Sequence, residues 1–558
     1  MSYEHEKTTP PHDGYYAEEK EANHGVVTVT EPLEDDLATT HLGDHGIKRD
    51  LPPRVLSMIA IAGTIGTGLF VGSGNSLVRG GPVGLWLGYS IMGMAVGMMM
   101  TTLGEMSCYA PNVGGFTEMA TKYADPALGF MSGINYTLST GFGIPSEISA
   151  IAVLFTYWDH NTAHAPAYIA LFIVLTVAIN ICGVKWFGEM EFAFAILKVV
   201  TLVGLMIFAL VANLGGIPPK HEYIGGKYWR TEPFNDTYLN IQPVALARFC
   251  GFWSVFTQAA FSYSAIEGIG LMAGEAHNPR KSLRTAIRTV FYRIVGIYVL
   301  ATLLIGLTVS QYSPDLLRAV AEDAGTAGAS PFVVLCSQMG VKVLPHIVNA
   351  VVITSALSSG NEQTYANSRN LMAMARANQL PKAFLKTTKH GVPWVGVCVS
   401  AAFSLLAFLS VSNGSNQAFI WLSNLSALAG LVTWTLICFS YTRFRRACVV
   451  QGVDRNKFTF KGYFQPYMAW FCVIFFTIIL IFNGYTCFIP TFSVSDFFAS
   501  YVTLLVIFVA WAAWKVIKRT KMVPLDEMDL SGGPPEAMRG TRYDPTFNQQ
   551  SYQSYQHA

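Results

Sequence analysis

The sequence predicts an all-α polytopic membrane protein with about twelve transmembrane helices. Of the 558 residues, 52% are apolar and 13% are charged, whereas a soluble domain carries roughly 25% charged residues. The chain also contains about twelve apolar stretches that are long enough to cross a bilayer, at about 20 residues per crossing. These stretches are residues 55–77, 83–108, 128–157, 166–184, 192–212, 251–274, 290–310, 345–368, 394–411, 418–441, 467–489 and 497–516.

We expect three regions along the chain. Residues 1–50 contain 12 Asp or Glu against 4 Lys or Arg and no apolar h-region, so we interpret them as a disordered acidic tail rather than a signal peptide. Residues 51–520 form the membrane domain, and residues 521–558 form a second disordered tail. The net charge of +2 provides no nucleic-acid footprint. The nine cysteines show no CxxC spacing, which favours packing over a metal or redox site.

Lys and Arg are distributed unequally between the predicted loops. The loops after the sixth, eighth, tenth and twelfth spans are basic, whereas those around Asp159, Asn413 and Phe492 contain neither Lys nor Arg. The positive-inside rule therefore places both tails in the cytoplasm. Two candidate glycosylation sequons, at Asn235 and Asn413, then lie on the outer face, although such triplets often arise by chance.

The first predicted span contains three glycines within the segment Ile61–Phe70. Glycine weakens a helix, so we expect this span to unwind, and unwound backbone inside a bilayer is tolerated where it lines a cavity. Its N–H groups are then predicted to bind a substrate carboxylate. The predicted substrate-binding residues of this span are Thr64, Ile65, Gly66, Thr67 and Gly68. The alternative is close helix packing, because Gly68 and Gly72 have the spacing of small-residue contacts.

A second interruption is predicted in the sixth span, within Phe261–Gly270. Two broken helices at matching places in two halves of a chain are typical of the substrate site of a secondary transporter. Carbonyl groups freed by the break would accept hydrogen bonds from an ammonium group. The predicted substrate-binding residues of this span are Phe261, Ser262, Tyr263 and Ser264. The Phe261 ring has two interpretations, an aromatic lid over the ligand or a packing residue.

Ionisable residues inside apolar spans are energetically costly and are therefore candidates for function. Lys198 is predicted to couple proton binding to transport; the alternative is that it snorkels to the membrane interface. Glu147, which follows Pro145, is either a proton-handling carboxylate or a structural ion-pair partner. Glu267 is either a proton-coupling residue or a hydrogen-bond partner of nearby backbone. The segment Ser358–Gln363 is unusually polar, so we expect it to face a cavity or the bundle interior.

Three segments resemble the fungal amino-acid permeases of the amino acid–polyamine–organocation superfamily. Ser57–Phe70 is similar to that family's first-helix signature, Gly188–Phe192 leading to Lys198 to its fifth helix, and Glu275–Lys281 to its loop after the sixth helix. The resemblance covers about residues 45–525. It implies a five-plus-five inverted repeat followed by two extra helices. It also implies proton-coupled amino-acid uptake at the plasma membrane, with no cofactor beyond the proton gradient.

Other segments are most similar to the dicarboxylic amino-acid permease branch, which carries glutamate and aspartate. These segments are Tyr123–Phe130, Gly340–His346 and Ala447–Asp454. They lie largely in loops and helix ends, so they indicate common ancestry better than they indicate which substrate the pocket binds. Ala62 and Ala265 stand where the family usually has glycine, and we expect both to change the shape of the pocket.

The resemblance implies a permease rather than an enzyme, and the HExxH, GxSxG and P-loop patterns are absent from the sequence. The implied partners are free amino acids, protons and the lipid bilayer, with Lys7 and Lys20 of the N-terminal tail as candidate ubiquitin acceptors. We expect acidic or broad-range substrates. The alternatives are a general, neutral or basic amino-acid permease, which an ionised Glu147 beside the site would favour, and a non-transporting amino-acid sensor.

Overall fold

The structure of the chain is a computed structural model. It describes residues 53–59, 65–111, 113, 115–159, 161–218, 221–272, 279–321, 330–412, 415–489, 491–539 and 541. Every regular element within these residues is helical, which confirms the predicted all-α class. The expected tail over residues 1–50 lies outside this part of the chain.

Long helices alternate with short connecting ones. In chain order the helices are α1 (Pro53–Met58), α2 (Thr67–Phe70), α3 (Gly72–Tyr109), α4 (Phe116–Tyr123), α5 (Pro126–Phe155), α6 (Ala165–Ile181), α7 (Val184–Asn213), α8 (Lys227–Thr231), α9 (Val244–Tyr263), α10 (Ile269–Met272), α11 (Pro279–Arg293), α12 (Leu300–Thr308), α13 (Pro314–Ala321), α14 (Pro331–Gln338), α15 (Leu344–Arg376), α16 (Trp394–Ser404), α17 (Leu409–Ser412), α18 (Ser415–Val450), α19 (Tyr467–Phe482) and α20 (Val494–Lys518).

Among the described residues, nine helices are both long and apolar enough to cross a membrane. They are Gly72–Tyr109, Pro126–Phe155, Val184–Asn213, Val244–Met272, Arg280–Thr308, Trp394–Val411, Ala418–Val450, Tyr467–Phe488 and Ser500–Lys518. Two other predicted spans differ from these: α6 has 17 residues, and α15 is rich in polar residues along its 33 residues. At 1.5 Å per residue, α15 is about 50 Å long. The total of about twelve spans stays a prediction.

Helix α3 joins the end of the first predicted span to the second span through a bend at Gly81 and Pro82. Gly81 has a φ of 75°, which glycine adopts without steric cost, and Pro82 removes a helical hydrogen bond. A methyl group on Gly81 would lie 2.6 Å from the Cα of Phe234, so the bend also permits a close chain contact. The predicted boundary between the two spans is therefore a bend inside one helix.

The two predicted breaks lie in the interior of the helix bundle. Helix α5 packs against α15 and α18, and α3 packs against α9. The apolar window of α5 is 83% buried and that of α20 only 11% buried, so α5 is central and α20 peripheral. The short helix α2 contacts α3, α9 and α15. This packing brings the first break against the helix that precedes the second one.

Residues 521–539 pack against the ends of α3, α4 and α18, although the composition predicted a disordered tail here. Tyr109 Oη donates a hydrogen bond to the Leu530 carbonyl at 2.8 Å, and the Gln451 side-chain amide donates one to the Met528 carbonyl at 2.8 Å. The side chains of Met528 and Leu530 are fully buried. The segment is ordered because apolar side chains leave water and its carbonyl groups find donors on the helices.

An ion pair adds to this packing. Lys122 Nζ lies 2.9 Å from Asp529 Oδ2. Burial raises the pKa of Asp529, but hydrogen bonds from Ser531 and Lys122 outweigh burial and lower the pKa to about 2. This value is below the ordinary Asp pKa of about 3.9. The ionised Asp529 carboxylate, held by Ser531 and Lys122, therefore stabilises the packed segment at neutral pH, and this contribution is lost as the pH falls from about 4 to about 2.

Candidate functional site

The first break lies between α1 and α2. Ile65 and Gly66 are not helical, and α2 begins at Thr67. The buried residues of this break are Ile65, Gly66, Thr67 and Gly68. Thr64, the remaining predicted binding residue, lies outside the described residues. The Ile65 carbonyl accepts a hydrogen bond from Ser355 Oγ of α15 at 2.7 Å, so the polar face of α15 holds the unwound backbone in place.

The carboxylate of Glu147, from α5, lies at the start of α2. Its Oε2 accepts hydrogen bonds from the Thr67 N–H at 3.2 Å and from Thr67 Oγ1 at 2.9 Å. Its Oε1 accepts one from Ser359 Oγ at 3.1 Å. Glu147 is 2% exposed and follows Pro145 by two residues. We predicted a ligand carboxylate at this N–H group; in the structure a carboxylate is bound there, and it belongs to the protein.

The second break follows the last residue of α9, Tyr263. Ser264 is extended, with φ −60° and ψ 161°, and Ala265 is left-handed, with a φ of 64°. Helical structure resumes with a 3₁₀ turn at Ile266–Gly268 and with α10. The left-handed conformation costs a residue that carries a Cβ roughly 1–2 kcal/mol. Ala265, which replaces an expected glycine, is therefore a strained residue at the break.

Carbonyl groups at the second break already accept hydrogen bonds. The Phe261 carbonyl accepts from the Ser264 N–H at 3.1 Å and from Ser264 Oγ at 2.7 Å, and the Ser262 carbonyl accepts from Tyr298 Oη at 2.9 Å. A carbonyl oxygen has two lone pairs, so in this conformation Ser262 has capacity for an ammonium group and Phe261 does not. The Phe261 ring packs edge-on against Phe419, with ring centroids 6.0 Å apart.

Tyr89 of α3 bridges the two breaks. Its hydroxyl lies 2.9 Å from Ser262 Oγ and donates to the Gly68 carbonyl at 3.3 Å, while Tyr263 Oη donates to the Tyr89 carbonyl at 3.1 Å. A methyl group on Gly68 would lie 2.7 Å from Ser262 Oγ, so glycine at this position permits close packing of the breaks. Gly68 therefore allows close packing between two helices, and it also lies in the unwound backbone that we predicted to bind substrate. No sequence pattern singled out Tyr89.

Lys198 lies in the middle of α7 and is fully buried. It does not reach an interface, so the snorkelling alternative does not fit the structure. Three buried carboxylates interact electrostatically with Lys198, those of Glu147, Glu191 and Glu362, and Arg293 contributes a second positive charge. Ser358 Oγ donates to Glu191 Oε2 at 2.5 Å. No role was predicted for Glu191, Glu362 or Arg293, although a charged residue in or beside an apolar span is a signal for function.

Glu267 is 1% exposed and lies in the 3₁₀ turn of the second break. Its Oε2 accepts a hydrogen bond from Trp434 Nε1 of α18 at 2.9 Å. The hydrogen bond that the structure gives the Glu267 carboxylate is therefore to an indole on another helix, and its Oε1 has no hydrogen-bond partner among the described residues.

The glycosylation candidate Asn235 is 9% exposed. Its side-chain nitrogen donates to the Val78 carbonyl at 2.7 Å, and its Oδ1 accepts from the Thr237 N–H at 2.9 Å. A glycan would replace one of the two hydrogens of this nitrogen, so a glycosylated side chain keeps the hydrogen bond to Val78 only through the other hydrogen. The second candidate, Asn413, lies outside the described residues.

Comparisons with known proteins give one family. The family model described as "Amino acid permease" matches residues 55–526. The dicarboxylic amino acid permease of Saccharomyces cerevisiae is 37% identical over 486 residues, which are 87% of this chain and 79% of that protein. The general amino-acid permease of the same organism is 38% identical over 495 residues, 87% of this chain and 80% of that protein.

A solved structure shows the same fold at low sequence identity. The manganese transporter of Eremococcus coleocola superposes with a TM-score of 0.53 at 13% identity, covering 83% of this chain and 93% of its own. Within the part of the chain that the structure describes, no group of three His, Cys, Asp or Glu side chains is arranged to hold a metal ion. At 13% identity, the likeness to the manganese transporter shows the fold alone.

Proposed function

The chain belongs to the amino acid permease family, and on that premise we propose that it is a proton-coupled permease that takes up amino acids across the plasma membrane. Its family and its apolar helices make it a multi-pass membrane protein and not an enzyme. The observation that best supports the proposal is the contact between two broken helices, where Tyr89 bridges Gly68 and Ser262. Such facing breaks are the usual substrate site of secondary transporters.

The substrate in this proposal lies between the two breaks. Its carboxylate binds backbone N–H groups within residues 64–68, and its ammonium group binds the remaining lone pair of the Ser262 carbonyl. Phe261, which is 5% exposed, covers the ligand from one side. Rocking of one group of helices against the other then opens the site to each side in turn.

Substrate binding competes with Glu147 in this scheme. An ionised Glu147 holds the Thr67 N–H and hydroxyl through charge-assisted hydrogen bonds, which are stronger than neutral ones. Protonation removes that charge and leaves the Thr67 donors available to the substrate carboxylate. A more acidic outer solution therefore favours substrate binding.

Lys198 links this event to the rest of the cycle. Its ammonium group interacts with Glu147 and with the buried acids Glu191 and Glu362. The number of protons on these carboxylates therefore determines how strongly they attract Lys198 and the helix α7 that carries it. Glu267 remains a candidate for coupling, although its bond to Trp434 also suits a structural role.

For the substrate class we propose acidic or broad-range amino acids. The three segments similar to the dicarboxylic branch and the 37% identity to a dicarboxylic permease support acidic substrates, and the 38% identity to a general permease supports a broad range. The position of Glu147 beside Thr67 supports the alternative of neutral or basic substrates, because an ionised carboxylate repels a second one.

The proposed orientation follows the basic loops and places both termini in the cytoplasm. Lys7 and Lys20 of the N-terminal tail are then accessible to the ubiquitin machinery, which we propose as a partner in endocytosis.

Uptake of labelled glutamate, proline, leucine and arginine in a permease-deficient yeast, at pH 5 and pH 7, tests the proposed function. We expect at least one label to accumulate, and to accumulate more at pH 5. Absence of uptake for the whole panel, from protein shown to be at the cell surface, would contradict the permease proposal and favour an amino-acid sensor.

We expect Gly66→Ala to reduce uptake by at least tenfold. A methyl group on Gly66 would overlap the Glu147 carboxylate and lie 2.9 Å from Ser359 Oγ, so the backbone of the first break, whose N–H groups we assign to the substrate carboxylate, would have to shift. The matched control is Gly360→Ala on α15, where a methyl group meets no atom within 4 Å. Initial uptake rates normalised to surface protein measure both; equal rates for the two variants would contradict the assigned contact.

A further inference from the structure

Among the buried carboxylates of the described residues, Glu362 of α15 stands out because it makes no hydrogen bond. It is 1% exposed, and neither Oε1 nor Oε2 has a hydrogen-bond partner. An ionised carboxylate that lies away from water without hydrogen bonds is costly unless opposite charges balance it. A protonated carboxyl group at the same place costs far less. The burial of Glu362 and its lack of hydrogen bonds therefore favour a carboxyl group that can change its protonation state.

Charged side chains of both signs act on Glu362. Lys198 of α7 and Arg293 at the end of α11 attract it, whereas Glu191 of α7 and Glu267 of the second break repel it. The phenols of Tyr136 and Tyr298 also interact with it electrostatically. Ionised Glu362 contributes one negative charge beside the two bases Lys198 and Arg293 and the neighbouring acids Glu191 and Glu267. Protonation of Glu362 removes that negative charge, so the net charge of the group becomes more positive by one.

A hydrogen-bonded path joins this charge group to the proposed substrate site. Arg293 Nη2 donates to Tyr298 Oη at 2.9 Å, and Tyr298 Oη donates to the Ser262 carbonyl at 2.9 Å. Arg293 immediately precedes a π-helical segment, Ile294–Val299, which contains Tyr298. Such segments are frequent at functional sites. A change in the charge that faces Arg293 therefore acts, through one phenol, on the carbonyl that we assign to the substrate ammonium.

We propose that Glu362 binds the transported proton and that Arg293 and Tyr298 transmit its charge state to Ser262. The inference rests on the proposed function, because it names the proton-binding residue of that cycle. The carboxylate takes a proton from hydronium that enters on the outer side, leaving water, and later returns the proton to water on the inner side. Arg293 is held by the ionised carboxylate in one state and released towards Tyr298 in the other.

Purified protein in liposomes separates coupling from substrate movement. Two assays are needed, with the amino acid that wild type takes up best: accumulation driven by an inward proton gradient, and exchange of labelled for unlabelled substrate without a gradient. We expect Glu362→Gln to lose at least 90% of gradient-driven accumulation and to retain exchange within threefold of wild type. Glu222→Gln, on an exposed residue, is the matched control and should resemble wild type in both assays.

Three outcomes overturn the proposal. The first is gradient-driven accumulation by Glu362→Gln at the wild-type level, and the second is loss of both assays in Glu362→Gln protein that melts at the wild-type temperature. If Glu362→Gln does not fold, Glu362→Asp decides the question: a shifted pH midpoint of uptake supports proton binding at this residue, and an unchanged midpoint is the third overturning outcome. A wild-type protein that fails both assays would instead refute the proposed permease function.

Discussion

Replacement of Lys198 by methionine is expected to abolish proton-driven uptake, with a loss of at least 100-fold. The side chain is fully buried and interacts electrostatically with Glu147, Glu191 and Glu362, and methionine keeps about its length without its charge. Without the ammonium group, the proton occupancy of the neighbouring carboxylates no longer acts on α7, so the proposed coupling step is lost. Initial uptake rates at pH 5, normalised to protein at the cell surface, measure the effect.

Loss of uptake through misfolding is separated from loss of coupling by two further variants. Lys185→Met removes a lysine from the exposed face of the same helix and should leave uptake unchanged. Lys198→Met combined with Glu191→Gln removes one positive and one negative charge, so the net charge of the buried group equals that of wild type. We expect this double variant to regain thermal stability and not gradient-driven accumulation. Accumulation by the double variant with the pH dependence of wild type would show that Lys198 has no part in coupling.

The helical fold was predictable because its signals are local. Apolar runs of about 20 residues mark spans without knowledge of their neighbours, and clustered glycines marked both breaks. The packed segment 521–539 was not predictable in this way. Its buried residues Met528 and Leu530 lie in a polar stretch, and the Tyr109 donor that meets Leu530 lies 421 positions away in the sequence.

The two helix breaks were predictable from the sequence, and the hydrogen bonds around them were not. The glycines and the polar residues of the sixth span correctly indicated two breaks, and the structure brings Gly68 next to Ser262. The side chains that bind to the breaks could not be predicted, because each is distant in sequence from its partner. Glu147 is 80 positions from Thr67, and Tyr89 is 173 positions from Ser262. Sequence patterns report which backbone is free to bind, whereas only the folded chain shows which protein groups already bind it.

Replacement of Glu147 by glutamine is expected to lower the apparent KM for uptake at pH 7 by about tenfold and to flatten its dependence on pH between 5 and 7. The amide is similar in shape and can still accept from Thr67, but without charge it holds those donors more weakly. Repulsion of the substrate carboxylate is also removed. Two charges about 5 Å apart at an effective dielectric constant of about 20 repel by about 3 kcal/mol. A tenfold change in apparent KM corresponds to about 1.4 kcal/mol, which is less than half of that repulsion.

The same variant separates the role of Glu147 from that of Glu362 and informs on the substrate class. Glu147→Gln should retain gradient-driven accumulation, because the proton site at Glu362 is intact, and glutamate should gain more than leucine, since it brings a second carboxylate towards position 147. The matched control is again Glu222→Gln, which should leave KM unchanged at both pH values. An apparent KM that rises in Glu147→Gln would mean that the Glu147 carboxylate supports the substrate, as an acceptor for its ammonium group, and does not compete with it for Thr67.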